Sequence, residues 1–105
     1  MKVVMTEELF ELYSTGWSKR YKAVAKNRSL LQRFSDVVNI MKSVGSIEEL
    51  KQNSHLHYEK LKYEYSGMSS VRLSNRYVHR LIFKENNDEL IIELIEIDNS
   101  HYGNR

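Results

Sequence analysis

The chain has no cysteine and no proline, and only four of its 105 residues are glycine. Without cysteine, disulfides, zinc–thiolate centres and thiol catalysis are all excluded. Four histidines remain as metal ligands: His55, His57, His79 and His101. No two of them stand in a His-x3-His pair, the spacing that seats a metal on one helix face, so no metal site and no cofactor are expected. Long apolar runs are also missing. No segment approaches the roughly 20 residues of a membrane span. The start, Met1 to Glu7, has too short an apolar run for a signal peptide, and acids follow at once. A soluble, cytoplasmic protein is expected, without a membrane partner. There is no repeat, low-complexity tract or linker, so residues 1–105 read as one domain. A content of 41% hydrophobic and 29% charged residues is that of a globular chain and argues against disorder.

Net charge is only +2, but it is unevenly placed. Residues 17–44 carry seven bases (Lys19, Arg20, Lys22, Lys26, Arg28, Arg33, Lys42) against the single acid Asp36, a local +6. Such a segment on a near-neutral protein suits a polyanion or an acidic partner; its bland reading is a solvated helix face.

The pattern of elements changes near the middle. Lys2 to Met5 reads as a first strand. Thr6 suits a helix N-cap, and Glu7 and Glu8 in the first turn favour the positive end of the helix dipole. That helix runs to about Thr15-Gly16. Tyr21, Val24, Leu31, Phe34, Val38 and Met41 form one apolar stripe, which predicts a longer helix over 18–43, with Asn27 to Ser29 as a point of interruption. Ser46 followed by Glu49 is a capping-box pattern and predicts a short helix over about 47–52. Beyond residue 53, Ser69–Leu73, Tyr77–Lys84 and Glu89–Ile97 read as strands separated by turn residues. The last of these is apolar on both faces for most of its length and belongs inside the sheet. The result is an α+β fold. Its helical part, about 6–53, packs on one face of a mainly antiparallel sheet of about four strands, with the sheet and candidate site in about 55–105. The other face is left open for charged residues.

On that sheet half lie Glu59, Lys62, Arg72, Arg80 and a terminal His101-Tyr102. Singly each is ordinary. Glu59 and Lys62, just before the first of these strands, read as a solvated pair, and His101-Tyr102 as a tail. Arg72 sits between Val71 and Leu73 and so points to the opposite face from them. Arg80 shares its face with Val78 and Ile82, and a guanidinium among apolar neighbours wants an anion. Together they are the inventory for cutting RNA without a metal. A base takes the 2′-hydroxyl proton, cations hold the phosphate, and an acid protonates the leaving oxygen.

In its order the set resembles the RelE/ParE superfamily of bacterial toxins, and in particular its HigB-like and YoeB-like branches. The resembling residues are Glu59-Lys60-Leu61-Lys62, Ser66-Gly67, Arg72, His79-Arg80-Leu81 and His101-Tyr102. Over residues 1–54 the likeness is architectural. Arg72 and Arg80 stand further apart than in the YoeB pattern, which leaves Arg76 as an alternative to Arg72. Met68-Ser69 replaces an aromatic pair. The resemblance implies a RelE-like fold and the toxin of a type II toxin–antitoxin pair. It further implies an mRNA endoribonuclease that acts in the A site of the small ribosomal subunit. Its partners would be a cognate antitoxin, mRNA and ribosomal RNA. By the same likeness Glu59 is the general base and His101 the general acid. Lys62, Arg72 and Arg80 stabilise the phosphorane, and Tyr102 orients or stacks the nucleotide, with His57 and Arg76 in reserve. Lys19, Arg20, Lys22, Lys26 and Arg28 would meet ribosomal RNA phosphates. The alternative on the same fold is a ParE-like toxin that binds DNA gyrase and cuts nothing.

Overall fold

Thr6 ends the first strand and starts the first helix, because its hydroxyl accepts the Leu9 N–H at 3.3 Å. The computed structural model describes residues 1–86 and 88–99. Strand β1 (Lys2–Met5) leads into helix α1 (Glu7–Thr15), which Gly16 closes in the left-handed conformation at φ 80°. The long helix expected over 18–43 is two helices, α2 (Lys22–Lys26) and α3 (Arg28–Ser43). Asn27 is the cause. It leaves helical backbone angles (φ −103°, ψ 97°), and its side chain accepts the Leu30 N–H at 3.1 Å, so it ends one helix and caps the next. Helix α4 (Ile47–Lys51) starts at the Ser46 cap as its sequence predicts, and Glu49 reaches back to the Gly45 N–H at 3.1 Å.

The sheet has five strands, not about four. Strand β2 (Glu59–Lys60), β3 (Ser69–Arg72), β4 (Arg80–Asn86) and β5 (Ile91–Asp98) join β1 in the order β1-β5-β4-β3-β2. The β1–β5 pair is parallel and the other three are antiparallel. The additional strand is β2, so Glu59 lies in the sheet rather than ahead of it. Strand β5 is interior, between β1 and β4, which accounts for its apolar character.

Helix α1 packs on β5 and α3 on β1. Leu9, Leu12, Leu30, Phe34, Val38 and Met41 bury their side chains with Val71, Leu81, Phe83, Ile92 and Leu94 in one core. Arg33, one of the seven bases, serves this packing: its Nε donates to the Leu73 carbonyl at 3.1 Å and ties α3 to the end of β3.

One irregularity decides what the opposite face carries. Phe83 pairs with Leu94, but Ile82 pairs with Glu96, so Ile95 is an extra residue in β5. This β-bulge inverts the alternation of the strand. Before it Ile92 and Leu94 face the core, and after it Ile97 does. Glu96 and Asp98 are thereby turned to the open face, beside Ile82 and Arg80.

Candidate functional site

Two cross-strand rows run over the open face. Glu59 pairs with Ser70, Ser70 with Ile82, and Ile82 with Glu96. In the next row Arg72 pairs with Arg80, and Arg80 with Asp98. Residues paired across strands project from the same side, so Glu59, Arg72 and Arg80 share one face. A 3-10 turn, Tyr63–Tyr65, folds beside them. A hollow of about 480 Å³ lies between, lined by the run from Glu59 through Lys60 and Lys62 to Tyr65, and by Arg80. A second, of about 300 Å³, is lined by His57, Tyr58, Glu59, Ser70, Arg72, Val78 and Arg80. Glu59 and Arg80 belong to both, so a carboxylate and a guanidinium stand where the two hollows meet.

Arg80 has the anion that its apolar surroundings require. Its exposure is 7%, and its Nε and Nη2 both lie 3.1 Å from Asp98 Oδ2. The pair fixes the guanidinium under the Tyr65 ring, with Cζ 5.9 Å from the ring centroid. Tyr65 is held in turn by a 3.2 Å hydrogen bond from its hydroxyl to Glu96. Burial, with the charges of Glu96 and Asp98, pushes the Tyr65 phenol above its ordinary pKa and keeps it a donor. Two arginines against one aspartate leave the second row at +1. Arg80 is thus a buried, largely neutralised donor, and Arg72 and Lys62 supply exposed positive charge at the hollows. His79 lies beside the row. Burial lowers its pKa, and Asp98 pulls the other way without prevailing.

The segment carrying Glu59 is bounded by strained backbone. His57 and Tyr63 adopt positive φ, 48° and 60°. A left-handed conformation outside glycine costs about 1–3 kcal/mol, and such residues cluster at functional sites. Among the described residues no group of three or more histidine, aspartate or glutamate side chains could hold a metal ion. No helix among them is long and apolar enough to cross a membrane.

The chain resembles solved bacterial toxins over nearly its whole length. A chain of a YoeB–YefM complex from Staphylococcus aureus matches 96% of this chain and 98% of its own, with a TM-score of 0.59 at 16% identity. A YoeB/ParE toxin from Agrobacterium tumefaciens matches over 96% and 100%, with a TM-score of 0.55 at 19% identity. A chain of a heterotetrameric YoeB–YefM toxin–antitoxin complex from Staphylococcus aureus matches over 96% and 98%, with a TM-score of 0.54 at 18% identity. This chain has the RelE-like fold of the YoeB toxins. No protein-family model matches the sequence, and no curated protein sequence matches it.

Against that fold the expected residues divide clearly. Glu59, Lys62, Arg72 and Arg80 come together, and His57 joins them. Arg76 does not. It lines a separate hollow with Arg33, His55 and Ser74, so Arg72, not Arg76, accompanies Arg80. His101 and Tyr102 lie outside the described residues. Lys19, Arg20, Lys22, Lys26 and Arg28 are all exposed, and none lines either hollow. Reversing the charge of Lys19, Arg20 and Lys22 together should therefore leave the fold intact. If these side chains meet RNA phosphates, it should also weaken ribosome association and flatten its salt dependence. Sedimentation with ribosomes across a salt series checks this; unchanged affinity returns the three to a plain solvated surface. Sequence reasoning does not reach Asp98, Glu96 or Tyr65. The guanidinium's need for an anion is legible, but the bulge that brings Asp98 to it is not.

Proposed function

We propose that this chain is the toxin of a type II toxin–antitoxin pair and a ribosome-dependent mRNA endoribonuclease. The observation that carries the reading is the meeting of Glu59 and Arg80 at the junction of two hollows, with Lys62 and Arg72 on either side. Glu59 takes the proton of a 2′-hydroxyl, whose oxygen attacks the adjacent phosphorus. Charge builds on the non-bridging oxygens, where Arg72, Lys62 and the N–H groups of Arg80 receive it. The 5′-oxygen leaves with a proton from a general acid, and the family resemblance assigns that role to His101. The products are a 2′,3′-cyclic phosphate and a free 5′-hydroxyl. Ribosome and A-site dependence come from the resemblance alone. An antitoxin partner is supported by the Staphylococcus aureus relatives, two of which were solved as YoeB–YefM complexes.

The test is direct. Translating ribosomes incubated with the protein should yield mRNA fragments with new 5′ ends at the A-site codon. On a minimal RNA substrate, free of the ribosome's own magnesium requirement, the slow basal cutting that the site performs without the ribosome should persist in EDTA. Loss of cutting that only a transition metal restores would contradict acid–base chemistry. A gyrase-binding toxin on the same fold would give no new ends and would inhibit supercoiling instead.

A further inference from the structure

On the side of the sheet away from the hollows, one carboxylate gathers the two neighbours of Glu59. Alternation along β2 sends Tyr58 and Lys60 to the face opposite Glu59. Both end on Glu85 of β4. The Tyr58 hydroxyl donates to Glu85 Oε2 at 2.5 Å, and Lys60 Nζ lies 3.5 Å from Oε1. Ser69 of the intervening strand β3 also donates to Oε2, at 2.9 Å, and its oxygen is 3.1 Å from the Tyr58 hydroxyl. Lys51 of α4 covers the Tyr58 ring at 5.0 Å from its centroid. Three strands are thus stapled by a half-buried side chain that reaches neither hollow.

Strand β2 needs such a staple. It has two residues, lies at the sheet edge, and pairs through Glu59–Ser70 and Lys60–Ser69, with one further backbone bond from the Leu61 N–H to the Met68 carbonyl at 3.0 Å. Edge strands this short hold their place weakly by backbone bonds alone. A general base, however, must stay within hydrogen-bond reach of the proton it takes, and a misplacement of about 1 Å costs on the order of a hundredfold.

We infer that Glu85 is a positioning residue, which fixes Glu59 over the hollows by clamping Tyr58 and Lys60 from the far face. The inference rests on the nuclease reading for its catalytic consequence, but the clamp has a readout of its own. Burial favours neutral Glu85, and the hydrogen bonds from Tyr58 and Ser69 with the charge of Lys60 outweigh it, holding the carboxyl below its usual pKa. The staple therefore stays charged at neutral pH.

The experiment combines Glu85→Gln and Tyr58→Phe, each alone and each with Glu59→Gln. Both changes keep side-chain volume, and Tyr58→Phe removes only one hydroxyl. In the otherwise native protein each should lower kcat roughly tenfold to a hundredfold with little change in KM. In the Glu59→Gln background neither should lower it further, because a residue that acts through Glu59 has nothing left to position. Equal losses in both backgrounds, or no loss in the first, overturn the inference. Hydrogen exchange supplies the independent arm. Glu85→Gln should raise exchange at the Glu59 and Leu61 amides, the ones that face β3, and leave the β4–β5 ladder protected; unchanged exchange at those amides overturns the clamp. If the native protein cuts no RNA, the nuclease reading fails and the catalytic half of the inference with it. Hydrogen exchange then decides for or against the clamp by itself.

Discussion

Glu59→Gln is expected to slow RNA cleavage by roughly a hundredfold to ten-thousandfold and to remove the acidic limb of the pH–rate profile. Amide and carboxylate are nearly the same size, and Glu59 is exposed on a two-residue edge strand, so the change should cost little stability. What it removes is the group proposed to accept a proton at the junction of the two hollows. Arg72→Ala separates charge from proton transfer. Arg72 is exposed on β3 and its loss should leave the fold intact, but it takes away positive charge where the phosphorane forms. The rate should fall at every pH while the shape of the profile is kept. His101→Gln should remove the basic limb, on the role the resemblance gives it. Rates measured from pH 5 to 9 on one substrate check all three. A Glu59→Gln protein with native rate and profile would eliminate this residue as the base.

Asp98→Ala should be the most destabilising single change in the site, by about 3–5 kcal/mol. Asp98 and Arg80 are both buried, and they meet through two contacts of 3.1 Å. Deleting the carboxylate takes from a buried guanidinium both of these contacts and the charge that makes them. A domain of this size commonly has about 5–15 kcal/mol in all, so the loss should lower Tm by more than about 10 °C. Arg80→Ala should be similarly damaging for the mirror-image reason, which makes it a poor probe of catalysis. Replacing both, as Arg80→Met with Asp98→Leu, should recover much of the stability and none of the activity. Thermal unfolding of the four proteins decides this. An Asp98→Ala protein as stable as the native one would mean that the pair is not formed.

The legible parts of the fold are those with local signals. Thr6 and Ser46 act as caps where their side chains predict. The apolar stripe of α3 is the core face, and β3, β4 and β5 fall within a few residues of their predicted places. Strand β2 carries no such signal. Two charged residues at an edge have neither alternation nor β-propensity, and only pairing with Ser69 and Ser70 makes them a strand. The bulge at Ile95 is silent as well, since a strand with isoleucine and leucine on both faces, broken only by Glu93 and Glu96, does not say where its alternation inverts. For the same reason the candidate site is half visible. Glu59, Lys62, Arg72 and Arg80 stand out by order and chemistry, whereas Asp98 and Glu85 act through register. Each is joined to its partner across strands, 18 residues from Arg80 in one case and 27 from Tyr58 in the other.

The central claim is that Glu59 drives transesterification of mRNA on the ribosome, and the ends of the cut RNA test it most directly. Ribosomes programmed with a defined message are incubated with the native protein or with Glu59→Gln, and the fragment termini are determined chemically. The native protein should leave a 2′,3′-cyclic phosphate on one fragment and a 5′-hydroxyl on the next, cut at the A-site codon, and Glu59→Gln should leave the message whole. An intact message with the native protein, while gyrase supercoiling is inhibited, would contradict the claim.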